Sequence, residues 1–287
     1  MNKKDSCYQH KDEYKIINRF FRKALKKPFL GFSVIIIFVV FFAAAFGPFL
    51  APHDPIKTDL SLRLASPSLE YPLGNDSLGR CLFSRILCGA RSSVGLSLAA
   101  VVISSIFGII TGLISGFLGG IVDEFFMRIV DIFLSFPEMV AAMAVAGILG
   151  HGTFNLVFAL ALAGWMRYAR LVRGITLSVK ELDYVKSAMI SGVSKRAIIF
   201  RHIFPANIPS VIVLITIGLG KAMLGVSALG FLGFGVQPPY PEWGTLLMEG
   251  KDYVLSASHL SLYPGIAIML TVLSLNLLGD GLRDIWE

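Results

Sequence analysis

The stretch from residue 29 to residue 50, FLGFSVIIIFVVFFAAAFGPFL, is 22 residues long and contains no charged side chain. As a helix it covers about 30 Å, which is the thickness of the hydrocarbon core of a bilayer. The whole chain has a similar character, with 55% hydrophobic and 16% charged residues, against about 25% charged residues in soluble domains. We therefore expect an all-α integral membrane protein.

Further apolar stretches bring the predicted number of transmembrane helices to about six. They are placed at residues 29–50, 94–118, 129–149, 152–171, 208–233 and 262–279. The third is interrupted by Asp131, Pro137 and Glu138, and the fourth is short because Arg167 comes early. We divide the chain into residues 1–90, which hold the N-terminal tail, the first span and an outer segment, and a transmembrane domain at residues 91–284.

The basic residues of the chain flank its apolar spans. Residues 1–28 contain nine Lys and Arg against three acidic residues, and residues 167–202 contain eight against two. Because flanking Lys and Arg stay on the cytoplasmic side, we predict that both termini and a loop at about 180–205 are cytoplasmic. The net charge of +7 then indicates a multi-pass protein of the cell membrane, with the lipid bilayer and not nucleic acid as its partner.

The sequence offers no candidate for catalysis or for metal binding. The three cysteines, Cys7, Cys81 and Cys88, form no C-x-x-C pair, which argues against a zinc site or a disulfide framework; the roles of Cys81 and Cys88 stay open. The run from Gly218 to Ala222, GLGKA, lacks the spacing and the hydroxyl of a phosphate-binding loop. We therefore expect neither an enzyme nor a cofactor bound by this chain.

The segment DYVKSAMISGVSKRAIIFRHIFP, residues 183–205, is amphipathic and basic. It is predicted to form two short helices that turn at Gly192, with Pro205 ending the second one. Its apolar positions fall on two faces, Val185, Ala188 and Met189 on one and Ile198, Ile199 and Ile203 on the other. Such a segment suits a groove on another protein or the anionic surface of a membrane, and the residues alone favour neither.

Two features of the apolar spans are candidates for a role in transport or packing. Gly108, Gly112, Gly116 and Gly120 recur every four residues and predict a smooth stripe on which another helix packs closely. Lys221 falls near the middle of the fifth span. An ionisable group at that depth is a candidate pathway residue; an ion pair with a partner subunit, or a helix that begins deeper than assumed, is the favoured explanation.

The segment at 183–205 resembles the E-A-A-x3-G-x9-I-x-L-P loop of type-1 ABC importer permeases. Lys186, Ser187 and Ala188 stand at the E-A-A places and Gly192 at the glycine, while His202, Phe204 and Pro205 stand at the I, L and P. Three further segments, PLGNDSLGRCLFSRILCGARSSV, LGFLGFGVQPPYPEWG and NLLGDGLRD, are similar to segments of the dipeptide, oligopeptide and nickel permeases.

This resemblance implies an ATP-driven importer. A second homologous permease would complete the pathway, two ABC ATPase subunits would bind ATP and Mg and dock on the 180–205 loop, and an extracytoplasmic solute-binding protein would deliver the solute. The alternatives are a secondary transporter or channel that acts without an ATPase, and a membrane enzyme. The sequence contains neither the inverted repeat nor the row of intramembrane carboxylates that the first of these favours.

The prediction of the substrate rests on a single position of the sequence. Peptide-transporting relatives usually carry an acidic residue where this chain has Val226. The apolar residue favours nickel or a metal chelate slightly over a dipeptide or oligopeptide.

Overall fold

The protein is described by a computed structural model that covers residues 28–286, so the basic tail, Cys7 and residue 287 lie outside the described residues. Within this range the chain is built from helices joined by turns, with one isolated β-bridge between Asn75 and Cys81. The α-helices are α1 Pro28–Leu50, α2 Leu82–Leu118, α3 Gly120–Leu134, α4 Glu138–Leu149, α5 Thr153–Lys180, α6 Asp183–Ile190, α7 Lys195–Ile198, α8 Phe204–Phe231, α9 Trp243–Gly250 and α10 His259–Trp286. The all-α fold expected from the sequence is confirmed.

Four helical stretches in the described range are long and apolar enough to cross a bilayer: α1, α2, the run Lys195–Phe231 and α10. A fifth span results if α3 and α4, which are bent by 91° relative to each other, are counted together. The predicted fourth span corresponds to α5, which has 28 residues but is not among these helices. Its C-terminal half carries Arg167, Arg170 and Arg173, and these lower its hydropathy.

The predicted third span is wrong as a single straight helix. Helix α3 ends at Leu134, and α4 begins at Glu138 directly after Pro137. A proline disfavours helical conformation in the residue before it and cannot donate a backbone hydrogen bond. The chain therefore breaks between Leu134 and Glu138, and the acidic side chain of Glu138 sits in the first turn of a new helix.

Helix α2 is the central element, and it is longer than predicted. It begins at Leu82 and has 37 residues, which gives a length of about 55 Å. The predicted division at residue 90 therefore falls inside this helix. Cys81, directly before α2, and Cys88, in the second turn of this helix, are both free thiols.

A cluster of four charged side chains, here called the charge clamp, lies at the start of α2. Arg80 donates from Nε to Oδ2 of Asp76 at 2.6 Å and from Nη2 to Oε2 of Glu249 at 2.9 Å. Arg85 reaches the same oxygen of Glu249 at 2.9 Å and lies 3.4 Å from Asp76. Because Glu249 belongs to α9, the clamp fixes the segment before α2 onto a distant part of the chain.

Helix α9 is held against α2 by a second buried carboxylate. Glu242 accepts hydrogen bonds from the backbone N–H groups of Gly244 and Thr245, at 2.9 and 3.0 Å, and so caps the helix. It also accepts from Oγ of Ser93 at 2.8 Å. Burial raises the pKa of Glu242. The neighbouring Trp243 donates from its ring nitrogen to the carbonyl of Ile86 at 3.0 Å, which joins α9 to α2 by a second route.

Candidate functional site

The 183–205 segment forms two short helices joined by a turn, as the sequence predicts. Helix α6 ends at Ile190 and α7 begins at Lys195, where Oγ of Ser194 accepts a hydrogen bond from the N–H of Ala197. Gly192 lies in the turn with a φ of 79°. This is left-handed backbone, which glycine adopts at little cost and a β-branched residue resists.

Pro205 does not end the second helix, and that prediction is wrong. The helical run continues from α7 through one turn of π-helix, Ile199–Ile203, into α8. Pro205 occupies the first turn of α8, where a missing backbone N–H is tolerated because the wider π turn has already interrupted the regular hydrogen-bonding pattern.

The two apolar faces predicted for this segment point into the protein. Val185, Ile198 and Ile203 are fully buried, with Met189 and Ile199 packed beside them. They form one core with apolar residues near the C-terminal end of α2 and on α5 and α8, namely Leu113, Phe117, Val172, Val179 and Val211. The inner face of the loop is thus packed on the ends of three long helices.

A second, outward-facing apolar surface remains on this segment. We call it the loop patch: Tyr184, Ile190, Val193 and Phe200, of which Ile190 is 88% and Phe200 71% exposed. Exposed basic residues accompany it, including Lys195, Arg196 and Arg201. Exposed large apolar side chains with basic residues beside them are compatible with a protein-binding surface.

The residues at the E-A-A places lie along α6. Lys186 and Ser187 are exposed and Ala188 is half-buried. Lys186 forms an ion pair with Glu181 at 2.8 Å, and the hydrogen bond from Lys186 lowers the pKa of the Glu181 carboxyl group.

The residues at the I, L and P places lie beyond the Gly192 turn. His202 stacks edge-on against Tyr184, with 5.7 Å between ring centroids. Phe204 is half-buried and Pro205 is exposed. The His202–Tyr184 contact therefore joins the two short helices across the turn.

The glycine stripe lies between α2 and α5. A Cβ added at Gly108 would come within 2.5 Å of the Trp165 carbonyl oxygen, and one at Gly112 within 2.6 Å of that of Ala169. A Cβ at Gly116 would lie 2.8 Å from Thr176. Gly120 does not continue the stripe, because α2 ends at Leu118 and Gly120 opens α3 with a φ of 56°.

Three arginines of α5 form an ion-pair ladder with the α3–α4 pair. The N–O distances are 2.6 Å for Arg167–Glu138, 2.5 Å for Arg170–Asp131 and 2.5 Å for Arg173–Asp123. Arg173 contacts both carboxylate oxygens of Asp123, which also accepts a hydrogen bond from Ser115. The ladder attaches the broken span to α5 over about 9 Å of helix.

The ladder changes which basic residues can be counted in predicting the orientation of the protein in the membrane. The sequence prediction counted Arg167, Arg170 and Arg173 as part of a basic loop, whereas the structure places them inside α5 with acidic partners. The basic residues that remain in the loop are Lys180, Lys186, Lys195, Arg196 and Arg201, against Glu181 and Asp183. The bias persists, and the cytoplasmic placement of the loop and both termini stays a prediction.

A cavity of about 410 Å³ opens between α2, α4, α5 and α8. Most of its lining is apolar, and Lys221, Glu138, Arg167, Tyr168 and Ser104 supply the polar groups. The sequence indicated Lys221 but missed the Glu138–Arg167 pair. The two residues are 29 positions apart in the chain, and no sequence pattern links them.

Val226 does not line this cavity. It is fully buried in an apolar core with Ala142, Ala146, Leu156 and Leu229. The side chain on which the sequence-based preference for nickel rested is therefore a packing residue in this chain.

Two family models match the chain. Residues 108–287 match the binding-protein-dependent transport system inner membrane component. Residues 17–67 match the N-terminal transmembrane domain of oligopeptide transport permease C. The first match includes the glycine stripe, the ladder, the loop and most of the residues that line the cavity.

Similar proteins share sequence with almost the whole chain. The glutathione transport system permease protein of Salmonella paratyphi A is 44% identical over 255 residues, which is 88% of this chain and 83% of the relative. Those of Pectobacterium atrosepticum and Escherichia coli O6:K15:H31 are 39% and 38% identical over 266 and 268 residues, covering 92% and 93% of this chain and 88% of each relative.

The helical fold with several apolar spans, the two family matches and these relatives agree with one another. The family is one of transport permeases. The chain therefore belongs to the type-1 ABC importer permeases of the peptide and oligopeptide family, as a multi-pass inner-membrane protein.

Proposed function

We propose that this chain forms one half of the pathway of an ATP-driven importer for small peptide-like solutes. A second homologous permease supplies the other half, two ATPase subunits bind ATP and Mg in the cytoplasm, and an extracytoplasmic binding protein delivers the solute. The observation that carries the proposal is the loop patch, an exposed apolar surface on a segment whose opposite face is anchored in the core.

The loop patch is the proposed docking site for an ATPase subunit. Exposed apolar side chains such as Ile190 and Phe200 provide burial energy on docking, while the basic residues around them suit acidic groups on the ATPase. When ATP binding closes the ATPase pair, the docked loop moves with it. Because Val185, Ile198 and Ile203 are packed against α2, α5 and α8, that motion reaches the helices that line the cavity.

The cavity supports a small solute. Its volume of about 410 Å³ lies within the range of about 300–1,000 Å³ that is usual for small-molecule sites. The relatives named above are glutathione transport permeases, and glutathione is a tripeptide with two carboxylates and one ammonium group. We therefore propose a peptide-like solute of this size.

Nickel is not proposed. The similar proteins give nickel no support, and Val226 is a packing residue. In the described range no group of three or more His, Cys, Asp and Glu side chains is placed to hold a metal ion.

The test is uptake by the complete complex. The two permeases, the ATPase pair and the binding protein are reconstituted in liposomes, and the entry of radiolabelled glutathione is measured with ATP or a non-hydrolysable analogue. We expect uptake that requires both hydrolysable ATP and the binding protein. Uptake driven by an ion gradient without ATP would instead identify a secondary transporter, and ATP-dependent uptake of nickel alone would overturn the proposed substrate class.

A further inference from the structure

Lys221 is a cation in the apolar helix α8 that forms no ion pair with another residue of the described range. It lies in α8, roughly three turns before the helix ends at Phe231. No carboxylate of the described residues is within ion-pair distance of its ammonium group, whereas Arg167, Arg170 and Arg173 all have one. A lysine at such a position must face water or an anion, because burial of an unpaired charge in lipid is costly.

Lys221 is exposed and is one of the residues that line the cavity. Its neighbours in the lining are apolar, Ala222, Leu224 and Leu160 among them. The charged groups that share the cavity with it are Glu138 and Arg167. A solute in the cavity therefore meets two cations and one carboxylate.

The Glu138–Arg167 pair keeps unused hydrogen-bonding capacity. Within the described residues Arg167 makes a single side-chain hydrogen bond, from Nη2 to Oε1 of Glu138 at 2.6 Å. Its Nε is buried and has no acceptor in that part of the chain. The second carboxylate oxygen of Glu138 also has no described donor, so it can accept a hydrogen bond from an ammonium group.

We propose that Lys221 binds a carboxylate of the transported solute while Glu138, held by Arg167, receives its ammonium group. The inference rests on the proposed function and adds a charge preference to it: the cavity favours peptide-like solutes with a net negative charge. A solute with two carboxylates and one ammonium group matches the two cations and one carboxylate of the lining. Hydrogen bonds between ionised groups of this kind are shorter and stronger than those between neutral groups.

The experiment compares two solutes in the reconstituted complex. Uptake of glutathione and of its analogue with an amidated glycine carboxyl group is measured at saturating loaded binding protein, for the parent chain and for Lys221→Met, Lys221→Gln and Lys221→Arg. The same binding protein serves every variant, so its own preference cancels when the ratio of the two rates is compared between variants. Lys251→Met, which removes an exposed lysine outside the cavity, is the matched control.

We expect Lys221→Met and Lys221→Gln to lower glutathione uptake about tenfold relative to the amide. Lys221→Arg and Lys251→Met should keep the parent ratio. An unchanged ratio in Lys221→Gln would overturn the proposal, and so would an equal loss for both solutes, which would place Lys221 in an ion pair with the second permease. If the parent complex takes up glutathione with ATP but the ratio of the two rates is the same in all variants, only the role of Lys221 is refuted. If the parent complex shows no ATP-driven peptide uptake at all, the proposed function itself is refuted.

Discussion

The charge clamp and the ion-pair ladder both pair arginines with aspartate and glutamate, but the two clusters differ in how deeply their side chains are buried. In the charge clamp at the start of α2, the Arg80 and Arg85 side chains are 3% and 0% exposed. In the ion-pair ladder of α5, Arg170 and Asp131 are 56% and 63% exposed, and Arg167 and Glu138 are 23% and 42% exposed. The arginines of the clamp are shielded from solvent, whereas the Arg167–Glu138 pair of the ladder lines a cavity.

The difference in burial separates a fixed region from one that can exchange partners. A buried charge that loses its partner is left without solvation, so the clamp has a single stable arrangement. A half-exposed pair can separate at little cost because water replaces the lost contact. The ladder and the 183–205 loop lie towards the C-terminal end of α2, so the parts that move in transport are expected there, and the clamp is expected to stay rigid.

The largest effect is predicted for the clamp. Arg85→Met leaves Asp76 and Glu249 with one arginine instead of two in a buried setting. We expect a loss of about 3–5 kcal/mol in stability, measured as a lower thermal unfolding midpoint of the purified complex in detergent. Arg128→Met is the control, because the Arg128–Glu124 pair is 3.7 Å long and exposed, and it should leave the midpoint unchanged. A clamp variant as stable as the parent would remove the contrast between the two regions.

A smaller loss is predicted where the ladder helix packs on α2. Gly112→Ala places a Cβ 2.6 Å from the carbonyl oxygen of Ala169, so α2 and α5 must move apart. The expected cost is about 1–3 kcal/mol, together with slower uptake. Gly95→Ala lies in the same helix with nothing within 4 Å of the added Cβ, and it should be neutral or slightly stabilising because alanine is the better helix former. If both variants behave alike in unfolding and uptake, close packing at Gly112 is not required.

The smallest effect on stability is predicted within the ladder. Arg170→Gln breaks the most exposed of the three pairs and should cost under about 1 kcal/mol. If the ladder rearranges during transport, the same variant should change the maximal uptake rate more than the unfolding midpoint. A stability loss as large as that of Arg85→Met would show that the ladder is a second rigid clamp.

Features that depend on one segment of the chain could be predicted from the sequence better than contacts between two distant segments. The four-residue spacing of Gly108, Gly112 and Gly116 is visible within α2 alone, and so is the Gly192 turn. Gly120 fits the same spacing and was wrongly included, because spacing does not reveal that α2 ends at Leu118. Pro205 was read as a helix stop because the preceding π turn has no signature in the residues.

The pairs of the ladder could not be read from local patterns. Asp123 and Arg173 are 50 residues apart in the chain. The count of Lys and Arg at residues 167–202 places this arginine in a loop, not in a helix. Lys221 was identified because it stands alone in an apolar span, a property of its own helix. Its relation to Glu138 and Arg167 required the packing of α4 and α5 against α8.

Whether the loop end of the protein transmits ATP-driven motion can be tested at Gly192. A Cβ at this position meets no atom within 4 Å, so only its φ of 79° opposes substitution. Gly192→Val should therefore insert and fold normally but disturb the angle between α6 and α7, whereas Gly192→Asn, which tolerates this backbone conformation, is the control. The measurement is ATPase-subunit copurification together with glutathione uptake per ATP hydrolysed. We expect weakened copurification and reduced coupled uptake for Gly192→Val and parent values for Gly192→Asn; parent values for both variants would show that the loop does not transmit the motion.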